Sequence, residues 1–219
     1  MAFSGYVFDA YGTLFDVHSA VAKHAEKLGE KGAHLSALWR TKQLEYSWVR
    51  SLMHSYTDFW SLTQEALDHA MATLDVEDAD LRDALLEAYL TLDAYPEVTA
   101  TLAAIKQAEG RVAILTNGSP DMIYAAIESA ALGDYIDDVF CVDAVKTFKT
   151  APETYKMVTD SWETQAKKVA FQSSNRWDIA GATKFGFYTN WINRTGAADE
   201  YLRYPPSRVL QNLEGITLA

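Results

Sequence analysis

The sequence predicts an α/β fold in which a doubly wound parallel sheet carries an inserted helical domain. From residue 98 onward, short apolar runs alternate with helical segments. This order is typical of a parallel sheet with helices on both faces. Residues 17–94 contain almost no strand pattern, yet an apolar run at residues 6–10 precedes them. The helical segment is therefore interpreted as an insertion after the first strand.

The elements follow one another with clear boundaries. Pro96 closes the helical insertion, because proline cannot continue a helix. The predicted strands are residues 6–10, 112–115, 139–142, 169–172 and 187–191. The predicted helices are residues 18–28, 35–53, 57–74, 81–92 and 98–108, with further helices between the later strands. Residues 1–15 and 96–219 are thus assigned to a core domain and residues 16–95 to a helical cap.

Composition excludes several classes of protein. The chain has 219 residues, 49% of them hydrophobic, which is enough for a substantial core. The formal net charge of −11 argues against nucleic acid, which requires a basic surface. No apolar run approaches the roughly 20 residues of a membrane span. The lone Cys141, predicted in a buried strand, and the absence of a signal-like start at residues 1–5 favour the cytoplasm.

Polar side chains cluster where the predicted strands end. Ligands bind at the carboxyl ends of parallel strands, so these residues are expected to share one site. Each has an ordinary interpretation as a turn residue, a helix cap or a surface lysine, and only their joint occurrence indicates chemistry. In strand order they are Asp9 and Thr13, then Thr116, Asn117 and Ser119, then Lys149, and finally Ser173, Ser174, Asn175 and Asp178.

Four of these segments resemble the motifs of the haloacid dehalogenase superfamily. They are Asp9-Ala10-Tyr11-Gly12-Thr13, Leu115-Thr116-Asn117-Gly118-Ser119, Lys149 and Ser173-Ser174-Asn175-Arg176-Trp177-Asp178. Two further segments are similar to L-2-haloacid dehalogenases in particular. The cap helix of that family resembles Leu38-Trp39-Arg40-Thr41-Lys42-Gln43-Leu44-Glu45-Tyr46, and its C-terminal segment resembles Trp191-Ile192-Asn193-Arg194-Thr195-Gly196. The resemblance covers nearly the whole chain. It implies a Rossmann-like core and hydrolysis of small 2-haloalkanoic acids with release of halide, without metal or cofactor.

The resemblance also implies a role for each site residue. Asp9 would be the nucleophile, and Asp178 would activate water. The remaining catalytic residues would be Thr13, Lys149, Ser173 and Asn175. The substrate-binding residues would be Tyr11, Arg40, Leu44, Phe59, Thr116, Asn117, Tyr155 and Trp177, of which Arg40, Asn117 and Trp177 would hold the leaving halide. Homodimers are common in the family, so a homodimer is expected.

Two alternatives remain at this point. One is a Mg²⁺-dependent small-molecule phosphatase of the same superfamily, and the other is a non-catalytic relative that binds a small acid or a protein. Phosphatases of this type carry a second Asp two residues after the nucleophile, where this chain has Tyr11. A halide leaves as a stable anion and needs no proton, so Tyr11 favours dehalogenation. The preferred halogen and chain length are left open.

Overall fold

The computed structural model describes residues 3–217 and contains a six-stranded parallel sheet. Its strands are β1 (Gly5–Phe8), β2 (Val112–Thr116), β3 (Asp138–Cys141), β4 (Val169–Ser173), β5 (Tyr188–Ile192) and β6 (Arg208–Leu210). Every neighbouring pair is parallel, in the order β3-β2-β1-β4-β5-β6. The predicted α/β fold is confirmed. Strand β6 was not predicted, because three residues with an exposed Val209 give no apolar run.

The strand order places a crevice beside β1. The chain adds β2 and β3 on one side of β1 and β4 to β6 on the other, so the direction of winding reverses between β1 and β4. Phe8 pairs with Gln172 across these two strands, and the Asp9 amide donates to the Gln172 carbonyl at 2.9 Å. The residues that follow β1 and β4 therefore lie side by side at the crevice where such sheets bind ligands.

Helices α1 to α5 separate β1 from β2 in the chain. They are α1 (Ser19–Ala22), α2 (Ala25–Leu28), α3 (Lys31–Leu52), α4 (Phe59–Thr73) and α5 (Ala79–Leu90). The later helices are α6 (Val98–Gln107), α7 (Pro120–Ser129), α8 (Pro152–Ser161) and α9 (Arg176–Phe185). Within residues 3–217, no helix combines the length and apolar character needed to cross a membrane. Residues 1–2 and 218–219 of the predicted domain division lie outside the described residues.

The single helix predicted at residues 18–28 is wrong. The structure has two four-residue helices there, and the backbone of His24 leaves the helical region between them, at φ −118° and ψ 20°. Lys23, at the end of α1, directs its ammonium to the Thr91 carbonyl at 2.7 Å and to Asp93 at 3.0 Å. These contacts hold the end of α1 against the segment that follows α5.

Hydrophobic residues cover both faces of the sheet. Because side chains alternate along a strand, Tyr6 and Phe8 of β1 face one cluster and Val7 faces the other. The first cluster extends into the helices between β1 and β2, whereas the second contains Tyr155 of α8 and Ile179 of α9. The sheet is thus buried on both faces and provides a rigid base for the loops at its carboxyl edge.

Strand β3 departs from the prediction of a buried strand. All four of its residues are only partly buried, since β3 is the edge strand and has one neighbour. Cys141 at its end is half-buried, and desolvation raises the pKa of its thiol to about 12. The thiol therefore stays protonated at neutral pH, which suits an inert residue.

Candidate active site

Lys149 lies between two buried carboxylates at the carboxyl edge of the sheet. Its Nζ is 2.9 Å from Asp9 Oδ1 and 2.8 Å from Asp178 Oδ2. Asp9 follows β1, Lys149 lies in the loop before α8, and Asp178 is in the first turn of α9. The exposed fraction is 5% for Asp9, 1% for Lys149 and 0% for Asp178. Three chain segments far apart in sequence thus bring together charges that water barely reaches.

The two oxygens of Asp9 have different surroundings. Oδ2 accepts hydrogen bonds from Thr13 Oγ1 at 2.9 Å, Asn175 Nδ2 at 2.8 Å and Ser173 Oγ at 3.3 Å. Oδ1 accepts from Lys149 alone among the residues of the described range, 3–217. The carboxylate is therefore fixed through one oxygen, while the other retains a free lone pair.

These donors are themselves oriented by the backbone. The Ser174 amide donates to Thr13 Oγ1 at 2.8 Å, which leaves the Thr13 proton for Asp9. The Asn175 amide donates to Ser173 Oγ at 3.1 Å in the same way. Gly12, with φ +90°, shapes the loop after β1, and its carbonyl accepts from Ser174 Oγ at 2.7 Å. A residue with a Cβ would be strained at this φ.

Tyr155 has a different position from the one expected of a substrate-binding residue. Its hydroxyl donates to Asp178 Oδ1 at 2.8 Å, and its ring is fully buried against Phe171 and Phe187. Tyr155 faces the second hydrophobic cluster, because helix α8 packs behind α9. Tyr155 is thus in contact with a predicted catalytic residue, and its expected role in substrate binding stays a prediction.

The electrostatics of Asp9, Lys149 and Asp178 favour a charged Lys149 and make Asp178 a weaker acid than usual. The pKa of Asp178 is raised to about 6, chiefly by burial and also by the charge of Asp9, while Lys149 and the Tyr155 hydrogen bond oppose the shift. For Lys149, burial would lower the pKa, but Asp178 and Asp9 outweigh it and raise the pKa above the ordinary value. Lys149 is therefore protonated, and Asp178 can accept a proton near neutral pH.

The predicted substrate-binding residues of the core lie next to this group. Tyr11 is buried, stacks on Tyr89 with 5.8 Å between ring centroids, and is 6.4 Å from the ring of Phe59. Asn117 Oδ1 accepts from the Lys149 amide at 3.0 Å, which leaves its Nδ2 available as a donor. Thr116 is fully buried, and its Oγ1 accepts from the Gly118 amide at 2.9 Å.

Helix α3 contributes Arg40 and Leu44, and α9 contributes Trp177. Arg40 Nη2 approaches the Tyr11 carbonyl at 3.4 Å and Asn175 Oδ1 at 3.5 Å, which are long contacts. Among residues 3–217, Arg40 has no carboxylate at ion-pair distance, so its charge is not neutralised. Leu44 follows one turn later and is half-buried. Trp177 packs edge-on against Trp48 of α3, with 5.6 Å between the rings.

A metal ion finds few ligands at this site. Asp9 and Asp178 are the carboxylates that could bind one, but the Lys149 ammonium already bridges them. In the part of the chain that the structure describes, no three His, Cys, Asp or Glu side chains are grouped to hold a metal.

Comparison with known proteins identifies the family. The haloacid dehalogenase-like hydrolases match residues 3–186 of the chain. The chain belongs to this family. The (S)-2-haloacid dehalogenase 4A of Burkholderia cepacia is 48% identical over 196 residues, which are 89% of this chain and 85% of that protein.

Two solved structures of dehalogenases share the whole architecture. One, a dehalogenase with an intermediate complex, is 44% identical with a TM-score of 0.96, over 97% of this chain and 95% of that one. The other is the L-2-haloacid dehalogenase of Xanthobacter autotrophicus with chloropropionic acid covalently bound. It is 36% identical with a TM-score of 0.87, over 96% of this chain and 95% of that one. The resemblance to L-2-haloacid dehalogenases is confirmed.

Two contacts of this hydrolase were not foreseen from its sequence. The Phe148 amide donates to Ser51 Oγ of α3 at 3.1 Å, so the loop carrying Lys149 is tied to the helical insertion. Arg194 donates to the Thr13 carbonyl at 2.8 Å and pairs with Glu97 at 2.6 Å. The Arg194 segment was noted for its resemblance, but no periodic pattern indicates which loop an arginine after β5 will contact.

Lys149→Met should destabilise the protein more at pH 7 than at pH 5. At pH 7 the change leaves buried carboxylates unpaired, which typically costs about 3–5 kcal/mol. Without Lys149, burial raises the pKa of Asp178 further above its unfolded value, so protonation at lower pH relieves the cost. Urea unfolding at both pH values measures this. Lys156→Met, which breaks an exposed pair with Asp160, should change stability little at either pH. An equal loss at both pH values for Lys149→Met would contradict the argument.

Proposed function

We propose that this hydrolase converts short-chain (S)-2-haloacids into (R)-2-hydroxyacids through a covalent ester on Asp9, without a metal. The observation that carries the proposal is the asymmetry of Asp9, whose Oδ2 accepts three hydrogen bonds while Oδ1 contacts Lys149 alone within residues 3–217. Relatives named (S)-2-haloacid dehalogenase support the choice of substrate.

In the first step, Asp9 Oδ1 attacks C2 of the substrate from the side opposite the halogen. The new C2–O bond forms as the carbon–halogen bond breaks, and halide leaves with the bonding electrons. Lys149 holds the carboxylate ionised, since a neighbouring cation favours the charged form. One inversion at C2 converts the S configuration of a 2-chloropropionate into the R configuration of the product.

In the second step, water attacks the ester carbonyl carbon, which is Cγ of Asp9. Asp178 takes the proton from this water as a general base. The carbonyl oxygen is then Oδ2, and the donors of Thr13, Ser173 and Asn175 stabilise the negative charge that develops there. Collapse breaks the bond between Cγ and the ester oxygen, which takes the proton held by Asp178, and the Asp9 carboxyl releases the second water proton to solvent. The product hydroxyl therefore retains an oxygen that came from Asp9.

The leaving halide requires donors that strengthen as its charge develops. Arg40 and the Nδ2 of Asn117 can donate, and the ring edge of Trp177 carries partial positive charge. The substrate carboxylate would bind Thr116 and the backbone amides of the loop after β1. Tyr11, Leu44 and Phe59 would enclose the alkyl group and exclude water.

Two features disfavour the phosphatase alternative. Tyr11 occupies the position of the acid that protonates a leaving oxygen, and burial raises the pKa of its hydroxyl well above the usual range. The Lys149 ammonium bridges Asp9 and Asp178, the carboxylates that a hard cation would require. Both features suit a displacement whose leaving group is already a stable anion.

Chloride release from separate L- and D-2-chloropropionate, with and without EDTA, tests the proposal. We expect release from the L isomer only, unaffected by EDTA, because the pocket is chiral and the displacement uses Asp9 alone. Hydrolysis of p-nitrophenyl phosphate with added Mg²⁺ is measured in parallel. Phosphate release without chloride release would instead support the phosphatase.

Asp178→Asn should let the Asp9 ester accumulate. The amide cannot accept the proton of the attacking water, so displacement proceeds and hydrolysis slows, typically by about 10²- to 10⁴-fold for loss of a general base. Mass spectrometry of the intact protein after reaction with L-2-chloropropionate measures the adduct. Asp9→Asn serves as control and should form none; an adduct on that variant would exclude Asp9 as nucleophile.

Tyr155→Phe should move the acid limb of ester hydrolysis to higher pH. The Tyr155 hydrogen bond lowers the pKa of Asp178, so its removal raises that pKa and leaves the base protonated over a wider range. The rate of single-turnover ester hydrolysis, measured across pH, gives the apparent pKa of this acid limb. For the unaltered enzyme we expect this pKa at or below about 6, because the ester removes the charge of Asp9, which raises the pKa of Asp178. A higher KM with an unmoved limb would indicate that Tyr155 binds substrate instead.

The helical insertion, residues 16–95, is proposed to act as a cap that closes the site with Arg40. We also infer a homodimer in the cytoplasm. The apolar side chains of Leu52 and Met53, exposed at the end of α3, support a subunit contact there. Sedimentation velocity measures the assembly, and a monomer at micromolar concentration would contradict the dimer.

A further inference from the structure

A cavity of about 360 Å³ opens to solvent beside the active site. Its lining includes Arg40, Asn175 and Trp177 together with Ala197, Ala198 and Glu200. Asn175 also donates to Asp9, so the cavity reaches a residue in direct contact with the nucleophile. Because Asp9 and Asp178 are buried, a substrate must approach through an opening of this kind.

Ala197, Ala198 and Glu200 belong to residues 197–204, which we term the wall segment. It contains no helix or strand and is exposed along its length. Arg176 holds it from the core: Nε pairs with Asp199 at 2.6 Å, and Nη2 donates to the carbonyls of Tyr204 at 3.1 Å and Tyr201 at 3.4 Å. One buried side chain thus fixes the segment at three points.

Arg176 is itself held firmly. Its guanidinium carbon is 5.7 Å from the Trp191 ring and 5.9 Å from the Tyr201 ring, and its side chain is 4% exposed. A planar group with several donors can contact a carboxylate and two carbonyls at once, which a lysine ammonium cannot reproduce in the same geometry. Arg176 also stands between Asn175 and Trp177 in the chain, so the wall segment is tied to the residues that contact substrate.

We infer that Arg176 is a positioning residue that sets the width of the substrate entrance and thereby the chain-length preference for 2-haloalkanoates. The inference rests on the proposed function. Arg176 contacts no reacting atom; it acts through the wall segment. When the three contacts are lost, the segment moves away from Arg40 and Trp177, and longer acids enter more easily relative to short ones.

The test compares kcat/KM for L-2-chloropropionate and L-2-chlorohexanoate in the unaltered enzyme, Arg176→Lys and Asp199→Asn. We expect the preference for the shorter acid to fall about threefold or more in Arg176→Lys, and less in Asp199→Asn, because discrimination between chain lengths depends on close walls. The single-turnover rate of ester formation at saturating L-2-chloropropionate should stay unchanged, which a general structural defect would not allow.

Arg111→Lys is the matched control. Arg111 also pairs with an aspartate, Asp138 at 2.8 Å, and packs on a tryptophan, Trp162 at 4.8 Å, but it precedes β2 at the opposite edge of the sheet. Its substitution should leave the preference unaltered.

The outcomes separate the two proposals. If the unaltered enzyme releases no chloride, the proposed function fails. If it does, and Arg176→Lys keeps the original preference, the entrance role alone is overturned. If Arg176→Lys does not fold, the chain-length preference of Asp199→Asn decides in the same way. Asp199 is exposed, so its substitution should not prevent folding.

Discussion

The Lys149 ammonium holds two carboxylates together where water barely reaches them, and the rest of the site is arranged around this group. Asp9 and Asp178 with one lysine leave an excess negative charge in the interior. Burying such charge is costly unless hydrogen bonds satisfy the remaining lone pairs. Thr13, Asn175 and Tyr155 provide these bonds. The neutral donors around the carboxylates are therefore required for stability as well as for chemistry.

During the proposed reaction, the charge of the group formed by Asp9, Lys149 and Asp178 changes in a way that favours the second step, ester hydrolysis. Before displacement, the charge of Asp9 raises the pKa of Asp178. Esterification removes that charge, and Lys149 then interacts with Asp178 alone. The pKa of Asp178 falls as a result, so the base is ionised when water attacks. Ester formation thus prepares the group for hydrolysis without any movement of the backbone.

The sequence predicts those site residues that lie at strand ends, but not the contacts that depend on how distant segments of the chain pack together. Asp9, Ser173 and Asn175 lie at the carboxyl ends of two adjacent parallel strands, which converge whatever the intervening chain does. Lys149 lies in a loop, and its place between two carboxylates came from the resemblance. The contact of Tyr155 with Asp178 was not predicted, because it depends on how α8 packs against α9, which no local pattern encodes. The contacts of Arg176 were not predicted for the same reason: its partners at residues 199–204 lie beyond β5, in a segment without helix or strand.

The charge of the chain explains why local geometry must govern substrate binding. A protein of net charge −11 repels a carboxylate at long range. Salt screens exposed charges beyond about 10 Å at 0.1 M, so the distant acids contribute little once the substrate is near the surface. Two arginines near the site already form ion pairs, Arg194 with Glu97 and Arg176 with Asp199, and these pairs join separate segments of the chain. Arg40 lacks such a partner within residues 3–217, so in the proposed reaction its charge would be available to an incoming anion. Its field is therefore the short-range attraction that the acidic surface does not provide.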